Sequence, residues 1–322
     1  MKPFSIGIKH SKIIQMVEEN FKRDTLNWGE GRVSFIEWDD GIKKPGLQFA
    51  HATGFNALTY RKLLEPLATS FNIRSVDARG HGFTKLEAIP KHMFDWKIYC
   101  DDLIKSVENF VTKTGAPILL GGHSMGGASA IQVAAKRPDL VAGLILIEPV
   151  LMPSKFKLFL RFGRQYPFLK ILPVIKQGMQ LSDSTKKRRR NWKSAEQMFN
   201  SYKGRGAFTT WPDEMIQDYI SGGTEEVNNH LTLSCDPRWE AASFSCWKHD
   251  AMGMIKDINS PITLLQGEEN STTRAEGPEL LKSRDSKGTF KTVEGASHFL
   301  PMEFPQLVQE EIVKIGKRIK II

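Results

Sequence analysis

Residues 122–126 read Gly-His-Ser-Met-Gly, a Gly-x-Ser-x-Gly pattern, and their setting constrains the chain more than the pentapeptide itself. An apolar run, Ala116-Pro117-Ile118-Leu119-Leu120, leads in, and a small-residue helical stretch, Gly127 to Ala135, leads out. A strand that reverses sharply and passes straight into a helix leaves the central residue exposed on the turn, above the helix N-terminus. Glycines at 122 and 126 suit that geometry, because a Cβ would collide where strand and helix nearly touch. Ser124 is therefore the candidate nucleophile.

The rest of the chain gives this turn a sheet to stand on. Val33–Trp38 and Gly46–Ala50 read as an early strand pair, separated by the turn-rich Asp39–Gly46. Leu58, Leu63, Leu64 and Leu67 fall at helical spacing within 57–69, Ile73–Asp77 is a short strand, and Asp95–Lys113 an amphipathic helix. Val141–Ile147 is almost uniformly apolar, as expected of a strand covered on both faces. Pro261–Leu265 and Thr289–Val293 read as further strands, and Gln306–Arg318 as a closing helix. Repeated β–α alternation predicts an α/β fold with a mostly parallel sheet flanked by helices.

Residues 151–250 break the rhythm. They are basic, carry Pro167, Pro173 and Pro212, and hold an aromatic stretch that includes Phe156, Phe159, Phe162 and Phe168. The expected organisation is a core from 1–150 and 251–322 with 151–250 inserted as a mainly helical cap. The three cysteines, Cys100, Cys235 and Cys246, match no metal or redox spacing and read as packing residues of a reduced, cytoplasmic protein. The first 21 residues, broken by Lys9, Lys12, Glu18 and Glu19, do not read as a secretion signal. Net charge is +9, with a dense run at Lys186-Lys187-Arg188-Arg189-Arg190. No nucleic-acid recognition module accompanies it, so nucleic acid is not an expected partner. A solvated face, attraction of anionic substrates and peripheral contact with an anionic membrane are the readings of that charge.

With these segments in order, the chain resembles the α/β-hydrolase superfamily, and within it the capped serine hydrolases, over roughly residues 30–150 and 255–320. His51-Ala52-Thr53-Gly54-Phe55 resembles that family's oxyanion loop. The resemblance implies that the amides of Thr53 and Met125 face the developing oxyanion. Asp77-Ala78-Arg79-Gly80-His81-Gly82 looks like a structural loop of the family. Gly295-Ala296-Ser297-His298-Phe299 resembles the loop bearing its catalytic histidine, which implies His298 as the base. A serine hydroxyl needs such a base, and imidazole titrates near neutrality.

The acid departs from the commonest pattern. Many relatives place an aspartate three residues beyond the glycine that ends the Pro261–Gln266 strand, and this chain has Asn270 there. Glu268 and Glu269 are nearby, and asparagine could orient an imidazole without carrying charge. Glu148 is the preferred candidate: it ends an apolar strand 24 positions after Ser124, where an unpaired carboxylate would be costly. Some dehalogenases of the superfamily resemble this arrangement, with their acid after the same strand.

The expected chemistry is hydrolysis of a small-molecule acyl ester through an acyl-enzyme on Ser124, with no metal or organic cofactor. Met152, Trp192, Phe208 and Trp211 are the candidate substrate-pocket residues. Thioester or C–C bond hydrolysis could use the same groups, and a non-catalytic small-molecule receptor could retain them.

Overall fold

A computed structural model describes residues 21–322 apart from positions 153, 247, 274 and 275. The expectation that the N-terminus lacks a secretion signal falls on residues 1–21, of which 1–20 lie outside the described residues. Among the described residues the main sheet has eight strands: β1 (Lys22–Asn27), β2 (Arg32–Trp38), β3 (Gly46–Ala50), β4 (Asn72–Val76), β5 (Ile118–His123), β6 (Val141–Ile147), β10 (Ile262–Gly267) and β11 (Thr289–Val293). Their order is β1-β2-β4-β3-β5-β6-β10-β11. Every neighbour pair from β4 to β11 is parallel; β1–β2 and β2–β4 are antiparallel.

β2 and β3 are not neighbours, contrary to the sequence reading. β4 lies between them, antiparallel to β2 and parallel to β3. The helical turns from Ala57 to Thr69 carry the chain from β3 back to the start of β4, which makes those two strands parallel. β1 was not legible: its sequence, KRDTLN, is polar, and it forms a mostly exposed edge.

The centre of the sheet shows why its strands are apolar throughout. Ile118, Leu120, Leu144 and Leu146 pack on one face with Val107, Phe110, Ile131 and Ala134 of helices Lys97–Thr114 and Met125–Lys136. The alternate residues Leu119, Ile145 and Ile147 join Leu64, Val308, Ile312 and Ile315 on the other face. A strand alternates sides every residue, so two covered faces require apolar residues at every step.

Among the described residues of 151–250 lie five α-helices, Ser154–Gln165, Pro173–Thr185, Ala195–Tyr202, Asp213–Gly223 and Pro237–Phe244, and a small sheet ordered β7 (Asn191–Trp192), β9 (His230–Leu233), β8 (Thr224–Val227). Helix Asp213–Gly223 is bound to the core. Arg61 Nε donates to both Asp218 oxygens at 3.1 and 3.0 Å, and Asn56 Nδ2 donates to the Tyr219 carbonyl at 3.0 Å. The parallel strands bring residues 51–55, 124, 148, 268–273 and 295–299 to the same end of the sheet, where ligand sites of open α/β sheets form.

Candidate active site

Ser124 sits between β5 and helix Met125–Lys136 with φ 56 and ψ −115, strained for a non-glycine residue. Its backbone is fixed from both sides. The Ser124 amide donates to the Ile147 carbonyl at 3.0 Å, and its own carbonyl accepts from Ala128 and Val150. The flanking glycines are obligatory: a Cβ on Gly122 would lie 2.4 Å from Gly126 backbone, and one on Gly126 2.1 Å from the Ala50 carbonyl oxygen.

His298 reaches Ser124 from the loop after β11. Its Nε2 is 3.1 Å from Ser124 Oγ, and its Nδ1 is 3.1 Å from Glu148 Oε2. Glu148 is fully buried, with φ 48. Its carboxylate accepts from the Gly267 amide at 2.6 Å, Ser271 Oγ at 2.7 Å and the Thr272 amide at 2.9 Å. Burial alone would raise its pKa; the contacts with His298, Ser271 and Thr272 outweigh burial and hold it below 4.5. Asn270, Glu268 and Glu269 are exposed, and Glu268 turns away to accept from the Gly295 amide at 3.0 Å.

Three buried histidines fix the surrounding loops. His51 Nδ1 donates to the Ala52 carbonyl at 2.7 Å while its Nε2 accepts from the Ala78 amide at 2.9 Å. His81 Nδ1 donates to the Arg79 carbonyl and its Nε2 accepts from the Gly54 amide at 3.0 Å. Burial lowers their pKa values to about 4 and about 3. His123, also held neutral by burial, has Nε2 2.8 Å from the His298 carbonyl and Nδ1 2.6 Å from Tyr60 Oη. The carbonyl can only accept, so Nε2 carries the proton and the Tyr60 hydroxyl donates to Nδ1. Tyr60 Oη in turn accepts from the Ala52 amide at 3.1 Å, joining the 51–55 loop to the His298 loop.

A cavity of about 1310 Å³ opens over Ser124 and His298. Thr53, Met152 and Phe208 line it, as do Phe55, Phe156 and Phe299. Trp192 and Trp211 do not. Trp192 packs on Tyr202 at 5.4 Å, and Trp211 lies edge-on to Phe55 at 5.1 Å, so both stand behind the wall. Met125 is buried at the start of its helix, where an amide has no intrahelical acceptor.

The sequence reading missed a buried polar cluster in this cavity. Arg188 belongs to the cationic run, yet its Nη1 donates to Glu240 Oε1 at 2.7 Å and Oε2 at 2.5 Å, and its Nη2 to Tyr219 Oη at 2.8 Å. Glu240 abuts the 51–55 loop: a Cβ on Gly54 would lie 2.3 Å from Glu240 Oε1. Lys186, Lys187, Arg189 and Arg190 are exposed, so one cation of five turns inward. Nothing in a run of five cations marks which one does so. Replacing Arg188 by methionine is expected to destabilise the fold by roughly 3–5 kcal/mol, because Glu240 is left buried without its partner. Urea unfolding would read this, and Arg188→Met with Glu240→Leu should recover most of the loss.

Residues 49–311 match the model of the alpha/beta hydrolase family. This chain belongs to that family. It is 26% identical to human monoglyceride lipase over 284 residues, covering 86% of this chain and 82% of the lipase. It is 21% identical to the 2-(acetamidomethylene)succinate hydrolase of Mesorhizobium japonicum, covering 88% and 91%. Among solved structures, the thioesterase domain from the curacin biosynthetic pathway superposes with a TM-score of 0.70 at 17% identity, covering 92% of this chain and all of that domain. The alpha/beta hydrolase fold expected from the sequence is thus the observed one. Among the described residues, no helix is long and apolar enough to cross a membrane.

Proposed function

We propose that the protein is a serine hydrolase of carboxylic esters, carboxylesterase- or lipase-like, with residues 151–250 as a cap over the site. The observation that carries this reading is the unbroken contact from Ser124 Oγ through His298 to Glu148 Oε2, at 3.1 Å on each side, under a largely apolar cavity. Glu148 accepts a hydrogen bond from the Nδ1–H of His298 and fixes the tautomer, so that Nε2 is free to take the Ser124 proton. Oγ attacks the ester carbonyl. The amides of Thr53 and Met125 stabilise the oxyanion, worth roughly 2.7–4 kcal/mol for each donor. His298 returns its proton to the departing alkoxide. It then activates the water that releases the acid from Ser124.

The cavity is larger than the roughly 300–1,000 Å³ of common small-molecule sites, and its aromatic lining suits a long acyl chain. The test is a series of p-nitrophenyl esters from acetyl to palmitoyl. A burst of p-nitrophenol equal to the enzyme, then slower turnover with an optimum at medium to long chains, is the expected result. No turnover across the series would overturn the ester reading.

A further inference from the structure

We infer that the helical hairpin of residues 154–185 docks on an anionic lipid bilayer and that lipid-borne esters reach Ser124 through it. The inference rests on the ester reading for its second half only; docking itself requires no turnover.

The argument begins with charge. Residues 151–190 contain eleven Lys/Arg and one Asp, a net +10, against +9 for the whole chain. The rest of the protein is therefore close to neutral, and the surplus belongs to this one segment.

The hairpin also has two apolar faces where a surface helix ordinarily has one. Its inner face packs helix Ser154–Gln165 on helix Pro173–Thr185 through Leu160, Ile175 and Met179. A Cβ on Gly163 would lie 2.7 Å from Ile175 and 2.9 Å from Met179, so the helices are in close contact there. Among the described residues its outer face is uncovered. Leu158, Phe162 and Tyr166 follow at four-residue steps and form one stripe. Phe162 stacks on Tyr166, which meets Phe168 edge-on at 6.1 Å. Phe168 is 73% exposed and Ile171 85%, beside the exposed Leu172 and Leu181. Exposed apolar side chains clustered this way mark an interaction surface.

The cations select the occupant. Arg161 and Lys176 are exposed on the same hairpin, and the exposed Lys186 and Lys187 follow directly at its end. Aromatic and aliphatic side chains between Lys and Arg, on helices too short to span a bilayer, match an interfacial anchor on anionic lipid. Leu181 is both exposed and a lining residue of the cavity, and Phe156 and Leu160 line it from the same hairpin. The docking face is thus continuous with the chamber over Ser124.

The experiment uses the full chain carrying Ser124→Ala. It is sedimented with phosphatidylcholine vesicles, alone or with about one-third phosphatidylglycerol. The expected result is binding to the anionic vesicles that weakens as salt rises. Phe168→Ser with Ile171→Ser should reduce it at least about tenfold, and Lys176→Gln with Lys187→Gln should reduce its salt dependence. In the Ser124 background, the serine pair should still hydrolyse a soluble short-chain ester at the wild-type rate, which shows that the site is intact. Absence of vesicle binding at low salt, or unchanged binding by the serine pair, overturns the proposal. So does light scattering that shows a dimer made monomeric by the serine pair, since a second copy would then cover the face. Vesicle binding without ester turnover would remove only the ester reading, and turnover without binding only the docking.

Discussion

Ser124→Ala is expected to lower kcat/KM on p-nitrophenyl esters by about 10⁴-fold or more while the protein keeps its fold. The hydroxyl makes one side-chain contact, with His298, and the strained backbone at 124 is held by its own amide and carbonyl bonds. Alanine can occupy the same backbone position that serine does. What remains after the change is binding and oxyanion stabilisation, enough for a small residual rate. Loss of the acyl-enzyme burst alongside an unchanged unfolding midpoint would identify Ser124 as the nucleophile. Turnover within tenfold of wild type would exclude it.

Glu148→Gln is expected to reduce kcat by about 10³- to 10⁴-fold with little change in KM. The carboxylate is surrounded by donors: the amides of Gly267 and Thr272, the Ser271 hydroxyl and His298. A glutamine amide must turn its NH₂ toward one of them, either losing a loop contact or favouring the wrong His298 tautomer. Stability should fall as well, with a definite pH dependence. Because the folded pKa lies below 4.5, the carboxylate contributes stability in full above that pH. The contribution is lost as pH falls through the lower folded value. The gap between wild type and Glu148→Gln in urea should therefore close in acid. Asn270→Ala, at the exposed alternative position, should change kcat by no more than a few-fold. A large loss there with Glu148→Gln near wild type would move the acid to the 268–273 loop.

What the sequence disclosed depended on how local each signal was. The turn at Ser124 was legible because strand, glycines and helix are consecutive, and the same holds for the loop at His298. The surroundings of the proposed acid required information through space: Glu148 and the 268–273 loop are far apart in the chain, and strand pairing of β6 with β10 brings them together. Preference for Glu148 came from the cost of an unpaired carboxylate after an apolar strand, which is a local argument. The aromatics of residues 151–250 gave no such handle. Phe208 lines the cavity and Trp211 packs beside it at 4.9 Å, yet both are large, apolar and buried, so composition cannot separate wall from backing. Arg188 was hidden for a related reason, since its neighbours in the run have the same charge and different fates. The order of β2, β4 and β3 depends on a crossover that strand periodicity does not encode.

The neutral histidines that fix the loops also give the protein an acid-sensitive clasp. Burial lowers the pKa of His51 to about 4 and that of His81 to about 3, against 6.5 for an unconstrained imidazole, and shifts His123 the same way. The unfolded chain therefore binds these protons first. Each such residue contributes stability that is fully present above pH 6.5 and is withdrawn as pH falls toward its lower folded value. The three together make the fold less stable as pH falls below 6.5. Protonating His51 or His81 also turns the nitrogen that receives a loop amide into a donor, so the 51–55 loop loses its fastenings along with the global fold. The residues that fix the loops beside Ser124 thus also tie the stability of the fold to pH.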